Sequence, residues 1–167
     1  MFMKEIKLVL LAALCMTMFS LTSCSDDDDF KPENIFKEAL IEKYPKATHI
    51  EWEKKRAYTV ADCRIDGKDV DVWFTADAKW QMTETELLMT DLPEAVKAAL
   101  DDVLAPNGAY AAWRVDDRDF LEYVDGTSVY VIEVEQRNKE FDLYFSPSGE
   151  LVDEVDVTTG DDTHWPK

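Results

Sequence analysis

Apolar and polar residues alternate in two stretches of the chain that lie 71 positions apart. The first is VDVWFTADAKW, from Val70 to Trp80, and the second is FDLYFSPSGEL, from Phe141 to Leu151. Successive side chains of a strand point to opposite faces of its sheet, so this alternation, interrupted by turn residues, predicts strands joined by tight turns. The match extends over residues 58–80 and 129–151, and each stretch predicts an antiparallel meander.

A helical pattern precedes each meander, because apolar residues recur there at spacings of three and four and share one helix face. The first set is Phe36, Ala39, Leu40 and Tyr44, and the second is Val96, Ala99, Leu100 and Val103. We expect Pro45 to end the first helix, and we expect Asp91 to cap the second, with Pro93 in its first turn. The chain therefore predicts one unit, a helix followed by four strands, that occurs at residues 33–88 and again at residues 89–157.

The connection between helix and meander matches at a different spacing. YPKATHIEW and APNGAYAAW align 61 positions apart, with Pro45 on Pro106 and Trp52 on Trp113. The spacing changes because the second unit carries about ten extra residues, Asp117 to Gly126. We expect residues 158–167, which follow the second unit, to form a frayed tail.

Residues 1–23 have the pattern of an export signal. Lys4 and Lys7 precede an apolar run from Leu8 to Phe19. As a helix this run would cover about 18 Å, too short for a hydrocarbon core of about 30 Å. The sequence LTSC, which ends at Cys24, resembles a bacterial lipobox, and the resemblance implies cleavage before Cys24 and a lipid anchor on it. The alternative is an ordinary signal peptide followed by a chance cysteine.

Residues 24–32 carry four consecutive aspartates, Asp26 to Asp29. A stretch this charged and this poor in apolar groups predicts a solvated tether. Its spacing is not that of a calcium loop, which places oxygen ligands at alternate positions and includes a turn glycine. Acidic residues directly after a lipidated cysteine also resemble the surface-export tag of some Gram-negative lipoproteins. We therefore expect an outer-membrane lipoprotein that is periplasmic or surface-exposed.

The charge of the chain limits its partners. The sequence has 36 acidic residues against 18 lysines and arginines, a net charge of −18, and removal of residues 1–23 makes this −19. Such a surface repels phosphates and anionic headgroups, so we expect no nucleic-acid partner and no membrane contact except through the anchor. Cationic protein patches and divalent ions remain open. Cys15 leaves with the signal and Cys24 takes lipid, so Cys63 has no partner for an internal disulfide.

Together these features resemble a known family. Helix-then-meander units in an exported lipoprotein, a YP pair and a tryptophan leading into strands, and a DGK hairpin at Asp66 to Lys68 are similar to the PepSY-like, β-lactamase-inhibitor-like family. The resemblance covers roughly Glu33 to Asp156, and the second unit departs from it with RNK, Arg137 to Lys139. It implies an α+β fold in which two tandem α-β-β-β-β repeats form one curved antiparallel sheet with both helices on one face. It also implies a binding or inhibitory role rather than an enzymatic one.

Strand alternation predicts which side chains face the helices. The helix side comprises Ala61, Cys63, Ile65, Val70, Val72, Phe74, Ile132, Val134, Phe141, Leu143 and Phe145. The open face comprises Tyr58, Asp62, Arg64, Asp71, Trp73, Val129, Glu133, Glu135, Asp142 and Tyr144.

The open face mixes aromatic side chains with acidic ones, as protein interfaces commonly do. We take the following residues as the candidate binding face: Trp73, Tyr144, Asp71, Asp142, Tyr58 and Glu133. Trp73 and Tyr144 would form its centre, and the carboxylates would favour a basic partner. Two alternatives remain: the aromatic residues only pack across strands, or the site lies on the extra residues 117–126.

No pattern predicts catalysis. Cys63 and His49 could pair as nucleophile and base, but Cys63 falls on the apolar side, where cysteine behaves as a small hydrophobe. Asp71 and Asp142 occupy matching places and could do acid/base work, yet paired acids are expected on so acidic a surface. His49 and His164, the two histidines, lie far apart in sequence. We expect no metal site, no cofactor and no enzymatic activity.

The sequence thus predicts a lipid-anchored, exported binding module. Its double sheet would bind another envelope or extracellular protein through the open face, in an inhibitor-like manner. One alternative is an envelope lipoprotein that scavenges a small molecule or a cation, which requires a concave pocket. Another is an accessory subunit of a surface complex.

Overall fold

The computed structural model describes residues 30–160 and 164–166. The predicted signal peptide, Cys24 and most of the tether lie outside the described residues, so the lipid anchor stays a prediction. The first half of the chain forms helix α1 (Asn34–Lys43) and strands β1 (Thr48–Lys55), β2 (Tyr58–Ile65), β3 (Lys68–Phe74) and β4 (Trp80–Glu86). After a short 3-10 turn (Met89–Asp91), the second half forms α2 (Glu94–Leu104), β5 (Arg114–Tyr123), β6 (Ser128–Gln136), β7 (Lys139–Phe145) and β8 (Leu151–Asp156).

The eight strands form one open antiparallel sheet in the order β1 to β8, each strand pairing with the next along the chain. Tight turns make this order possible. Asp66 and Gly67, between β2 and β3, both take positive φ angles of 51° and 86°, as a type I′ hairpin requires. The two halves meet where β4 pairs with β5, for example at Met82 and Tyr123. The predicted α+β class and antiparallel sheet are confirmed.

Two apolar clusters lie between the helices and the sheet. The cluster under α1 contains Phe36, Leu40, Ala61, Cys63, Val70, Val72 and Phe74. The cluster under α2 contains Leu87, Leu92, Val96, Leu100, Tyr110, Ile132, Val134, Leu143 and Phe145. Every residue predicted on the helix side lies in one of these clusters or packs against it, so that assignment is confirmed.

Both helices lie on the same face of the sheet. A row of directly paired residues crosses five strands from one cluster to the other: Val70, Thr85, Phe120, Tyr130 and Phe145. Paired residues of an antiparallel ladder point to the same face, so α1 and α2 share a side and the other face carries no helix. No helix in the described part of the chain is long and apolar enough to cross a membrane.

Two local predictions were wrong. Asp91 does not cap α2, because Pro93 takes the capping position and the Asp91 carboxylate instead accepts hydrogen bonds from Lys68 Nζ at 2.9 Å and from the Leu88 N–H at 3.3 Å. Pro93 therefore precedes the first turn of α2, which begins at Glu94. Most of the extra residues 117–126 belong to β5, the strand that joins the two halves of the sheet.

Candidate functional site

The helix-free face carries an apolar cluster of its own, called here the outer cluster. It consists of Val60, Trp73, Met82, Leu121, Tyr123, Val129 and Val131, with Tyr58, Tyr144 and Trp165 packed against it. Strand alternation places these side chains opposite the helices, as predicted for Tyr58, Trp73, Val129 and Tyr144. The cluster spans the junction of the two halves, because it includes residues of β4 and β5.

Trp73 lies on the predicted face, but it is fully buried, at 0% exposure. Its ring packs edge-on against Trp165, with centroids 5.3 Å apart, and against Tyr58 at 6.0 Å. The Trp73 indole N–H is buried and has no hydrogen-bond partner in the described chain. The expectation that Trp73 is an exposed anchor is wrong, because residues far along the chain cover it.

The covering residues form the C-terminal segment, residues 164–166. His164 contacts the Tyr144 ring, with centroids 6.2 Å apart, and the Arg56 guanidinium lies 3.8 Å from the centre of the Trp165 ring. The predicted frayed tail is therefore wrong for these residues, because aromatic contacts and ion pairs hold them on the sheet. The C-terminal segment touches both of the aromatic residues that were predicted to form the centre of the face.

Beside the outer cluster the helix-free face forms a groove of about 480 Å³, called here the acidic groove. Ten carboxylates of the described chain line it, together with His164: Asp62, Asp69, Asp71, Glu84, Glu86, Asp117, Asp119, Glu133, Glu140 and Asp142. Strand pairing explains their convergence, because Asp62, Asp71 and Glu84 stand directly opposite one another on β2, β3 and β4. Glu133 and Asp142 do the same on β6 and β7. The groove concentrates negative charge on one face.

Burial disfavours the charged form of several of these carboxylates. Burial raises the pKa of Asp119 to about 8, with a further contribution from Glu84 that His164 partly opposes. Burial likewise raises the pKa of Asp71 to about 6, against the effect of Lys55, whose Nζ lies 3.3 Å from its carboxylate. The pKa of Glu133 is also raised, first by burial and then by Asp142. A cation that enters the groove therefore relieves a real electrostatic cost.

His164 acts as an internal cation of the groove. Its Nδ1 lies 2.5 Å from Glu84 Oε1, and its Nε2 lies 3.4 Å from Asp142 Oδ2. Burial lowers the pKa of His164, but the hydrogen bonds to Asp142 and Glu84 outweigh burial and raise that pKa to about 10. The ring is thus an imidazolium that donates from both nitrogens. Sequence reasoning missed this arrangement, since 80 positions separate His164 from Glu84.

All six predicted binding-face residues lie on the helix-free face, but they divide into two groups. Asp71, Glu133 and Asp142 line the acidic groove, and Asp142 is 5% exposed. Tyr58, Trp73 and Tyr144 belong to the outer cluster or pack against it. Sequence alternation therefore found the face. It did not find Glu84 and Asp119, because neither lies in the stretches that match between the two halves.

Cys63 and His49, the pair considered as nucleophile and base, share no hydrogen bond in the described chain, whereas Asp71 and Asp142 both line the acidic groove. Cys63 donates to the Val70 carbonyl at 3.5 Å in the cluster under α1, and burial raises the pKa of its thiol to about 11. Such a thiol is a poor nucleophile. His49 is exposed and hydrogen-bonds to Thr48. The expectation that the protein is not an enzyme stays a prediction.

Comparison with known proteins identifies relatives of this chain. Residues 57–153, more than half of the chain, match the family model described as "Putative beta-lactamase-inhibitor-like, PepSY-like". The chain belongs to the PepSY-like family. The crystal structure of a BLIP-like protein from Bacteroides fragilis is 47% identical, with a TM-score of 0.74, and the match covers 84% of this chain and 99% of that one. The expected family resemblance is confirmed.

More distant members of the fold come from related organisms. A DUF2874 family protein from Bacteroides uniformis is 27% identical, with a TM-score of 0.69, over 77% of this chain and 91% of that one. A Bacteroides eggerthii structure described as "putative periplasmic proteins" is 26% identical, with the same TM-score, over 78% and 92%. Comparison with curated proteins gives no match. One of these relatives is thus described as BLIP-like and another as periplasmic.

Proposed function

We propose that this PepSY-like protein is an exported binding module that holds a cationic segment of another envelope or extracellular protein in its acidic groove, in an inhibitor-like manner. The observation that carries the proposal is the convergence of ten carboxylates on one concave part of the helix-free face. Electrostatic complementarity of this kind speeds encounter with a basic partner and rejects acidic ones.

The contacts of the C-terminal segment support a partner of this chemistry. Its His164 side chain sits as a cation between Glu84 and Asp142, and the next residue, Trp165, packs on Trp73. A partner segment with a lysine or arginine next to an aromatic residue would make the same two kinds of contact. We therefore expect the partner to present that pair and to compete with the C-terminal segment for the face.

The proposal includes anchoring through a lipidated Cys24 at the outer membrane. Its support is the LTSC motif and the acidic run after it. A tethered module of this kind would meet its partners at the cell envelope. The Bacteroides eggerthii relative, which is described as periplasmic, belongs to the same compartment. An accessory role in a surface complex is the same binding function with a permanent partner.

The proposal also includes an origin of the two halves as repeats of one α-β-β-β-β unit. Its support is the shared order of elements and the position of two strand irregularities. The register shifts between Trp73 and Phe74 where β3 meets β4, and between Tyr144 and Phe145 where β7 meets β8. These are corresponding residues at the 71-position spacing.

Binding of a synthetic peptide of alternating lysine and tryptophan, followed by fluorescence anisotropy at several salt concentrations, tests the function. The double variant Asp71→Asn with Glu133→Gln should weaken binding at least tenfold, and the affinity of the wild type should fall as salt rises. The matched control is Glu38→Gln with Glu150→Gln, which removes the same charge from exposed positions outside the groove.

Equal losses in the two double variants would show that net charge alone attracts the peptide, and the groove would lose its proposed role. A wild type that does not bind the peptide would exclude the proposed partner chemistry. Capture from the envelope of the parent organism then identifies the natural partner, and its binding should show the same dependence on Asp71 and Glu133.

A further inference from the structure

Three side chains of the acidic groove bring metal-ligand atoms close together. One carboxylate oxygen each from Glu84 and Asp119 and one ring nitrogen of His164 all lie within 4.8 Å of one another. The strands set this geometry, because Glu84 on β4 pairs with Leu121 on β5, and Asp119 lies two residues from Leu121 on the same face. The C-terminal segment supplies His164. The three residues come from three separate parts of the chain.

Asp119 independently points to a cation. Its side chain lines the groove and is only 8% exposed, and no described residue donates a hydrogen bond to its carboxylate. Buried carboxylates in proteins are normally hydrogen-bonded, paired with a cationic side chain or bound to a metal. Here Glu84 and Asp142 make the ion pairs with His164, and Asp119 is left facing them.

We propose that Glu84, Asp119 and His164 form a binding site for a divalent transition-metal ion such as Zn²⁺. An imidazole nitrogen with two carboxylate oxygens suits zinc and its neighbours in the first transition series, whereas magnesium and calcium prefer oxygen ligands throughout. The metal takes the place of the proton between His164 Nδ1 and Glu84 and of the proton that Asp119 carries in its neutral form, and these protons leave to solvent. Water or a bound partner fills the remaining coordination positions.

Asp142 would position the metal ligand rather than bind the ion. Its Oδ2 lies 3.4 Å from His164 Nε2, the ring nitrogen opposite the one that faces Glu84. A hydrogen bond from this nitrogen fixes the ring orientation, as carboxylate partners do for histidine ligands in known zinc sites. The arrangement also means that a bound metal ties the C-terminal segment to the sheet. The metal site would therefore hold the C-terminal segment on the sheet, which is a role separate from the binding of a protein partner.

Calorimetric titration of the purified, chelator-treated protein with ZnCl₂ tests the site. The wild type should bind one ion per chain, and Asp119→Asn and His164→Asn should each weaken binding at least tenfold. The matched control is Glu140→Gln, which removes the same charge as Asp119→Asn from the same groove but outside the three ligands. It should bind as the wild type does, and excess Mg²⁺ should not displace the zinc.

Three results would overturn the proposal in favour of general attraction to an acidic surface. They are zinc binding that is weakened equally in Glu140→Gln, zinc binding of wild-type affinity in Asp119→Asn and His164→Asn, and displacement of the zinc by Mg²⁺. Should Asp119→Asn fail to fold, the wild type still decides, because one equivalent of zinc must shift the NMR signals of the His164 ring and leave those of exposed His49 in place. No protein partner enters these measurements, so their failure leaves the peptide-binding result intact, and failure of peptide binding leaves the metal site intact.

Discussion

Individual side chains of the helix-free face owe their properties to the residues across the sheet from them. Asp71 stands between Asp62 and Glu84, and burial raises its pKa to about 6. Because this folded-state value lies above the unfolded one of 3.8, the folded protein binds more protons between the two values. The ionised carboxylate therefore costs stability above pH 6, and the cost is lost as the pH falls towards 3.8.

Asp71→Asn should thus stabilise the metal-free protein at pH 8 by roughly 1 to 3 kcal/mol, and the gain should shrink towards zero near pH 4. Urea unfolding of both proteins at the two pH values, in the presence of a chelator, measures this difference. Asp69→Asn is the control, because Arg64 lowers the pKa of the exposed Asp69 and its charge is favourable. A loss of stability for Asp71→Asn at pH 8 would show that the ion pair with Lys55 dominates instead.

Trp73 shows which properties of a single residue the sequence can predict. Period-two alternation is local, so it placed Trp73 on the correct face of β3. The exposure of a side chain also depends on residues that pack over it from elsewhere in the chain. Trp165 covers Trp73, and the sequence around Trp165 has no apolar periodicity that would predict this contact. The contact between His164 and Glu84, 80 positions apart, could not be predicted for the same reason.

The helices and strands were predictable to a greater degree, because each is encoded within a short window. Spacings of three and four marked both helices, and alternation with turn residues marked the meanders. The extra residues of the second half were located less well. They are spread over the connection before β5 (residues 105–113 against 44–47), over β5 itself (10 residues against 8 for β1) and over the hairpin after it (residues 124–127 against 56–57). Matching the two halves shows that the lengths differ, but not how the difference divides among connection, strand and turn.

Phe74 and Phe145 should be equivalent core residues of the two halves. Both are fully buried, Phe74 under α1 and Phe145 under α2. Replacement of either by alanine should lower the free energy of unfolding by about 3 to 5 kcal/mol, because each leaves a cavity between a helix and the sheet. Denaturant melts measure the loss. Val152→Ala, at an exposed position of β8, should stay within about 0.5 kcal/mol. A loss below about 1 kcal/mol for either phenylalanine would contradict the assignment.

For the whole molecule, the two faces of the sheet have separate tasks. One face is covered by α1 and α2 and supplies the main core. The other bears the outer cluster, the acidic groove and the C-terminal segment. Changes to the groove carboxylates can therefore alter binding with less effect on folding than changes to the buried apolar side chains of either face. Net charge was readable from composition alone. The concentration of that charge in one groove could not be predicted from composition, because it depends on the pairing of β4 with β5.

Attachment of the whole molecule to a membrane rests on Cys24. Cys24→Ser should leave the fold intact and move the protein from the detergent phase to the aqueous phase, because the acyl chains would be lost. Phase partitioning of the two proteins measures this, and circular dichroism checks the fold. Cys63→Ser is the matched control, since its buried position lies in the core under α1 and should not affect partitioning. A Cys24→Ser protein that stays in the detergent phase would rule out the lipobox interpretation.

The order of the strands, β1 to β8 without a crossover, bears on how the chain reaches its native state. Each hairpin closes between residues that are near in sequence, so little loop-closure entropy opposes it, and topologies of this kind fold quickly for their size. No strand has to insert between two that are already paired. A polypeptide that leaves a narrow translocation pore one end first can therefore add strands in the order in which they emerge, each completed edge serving as the template for the next.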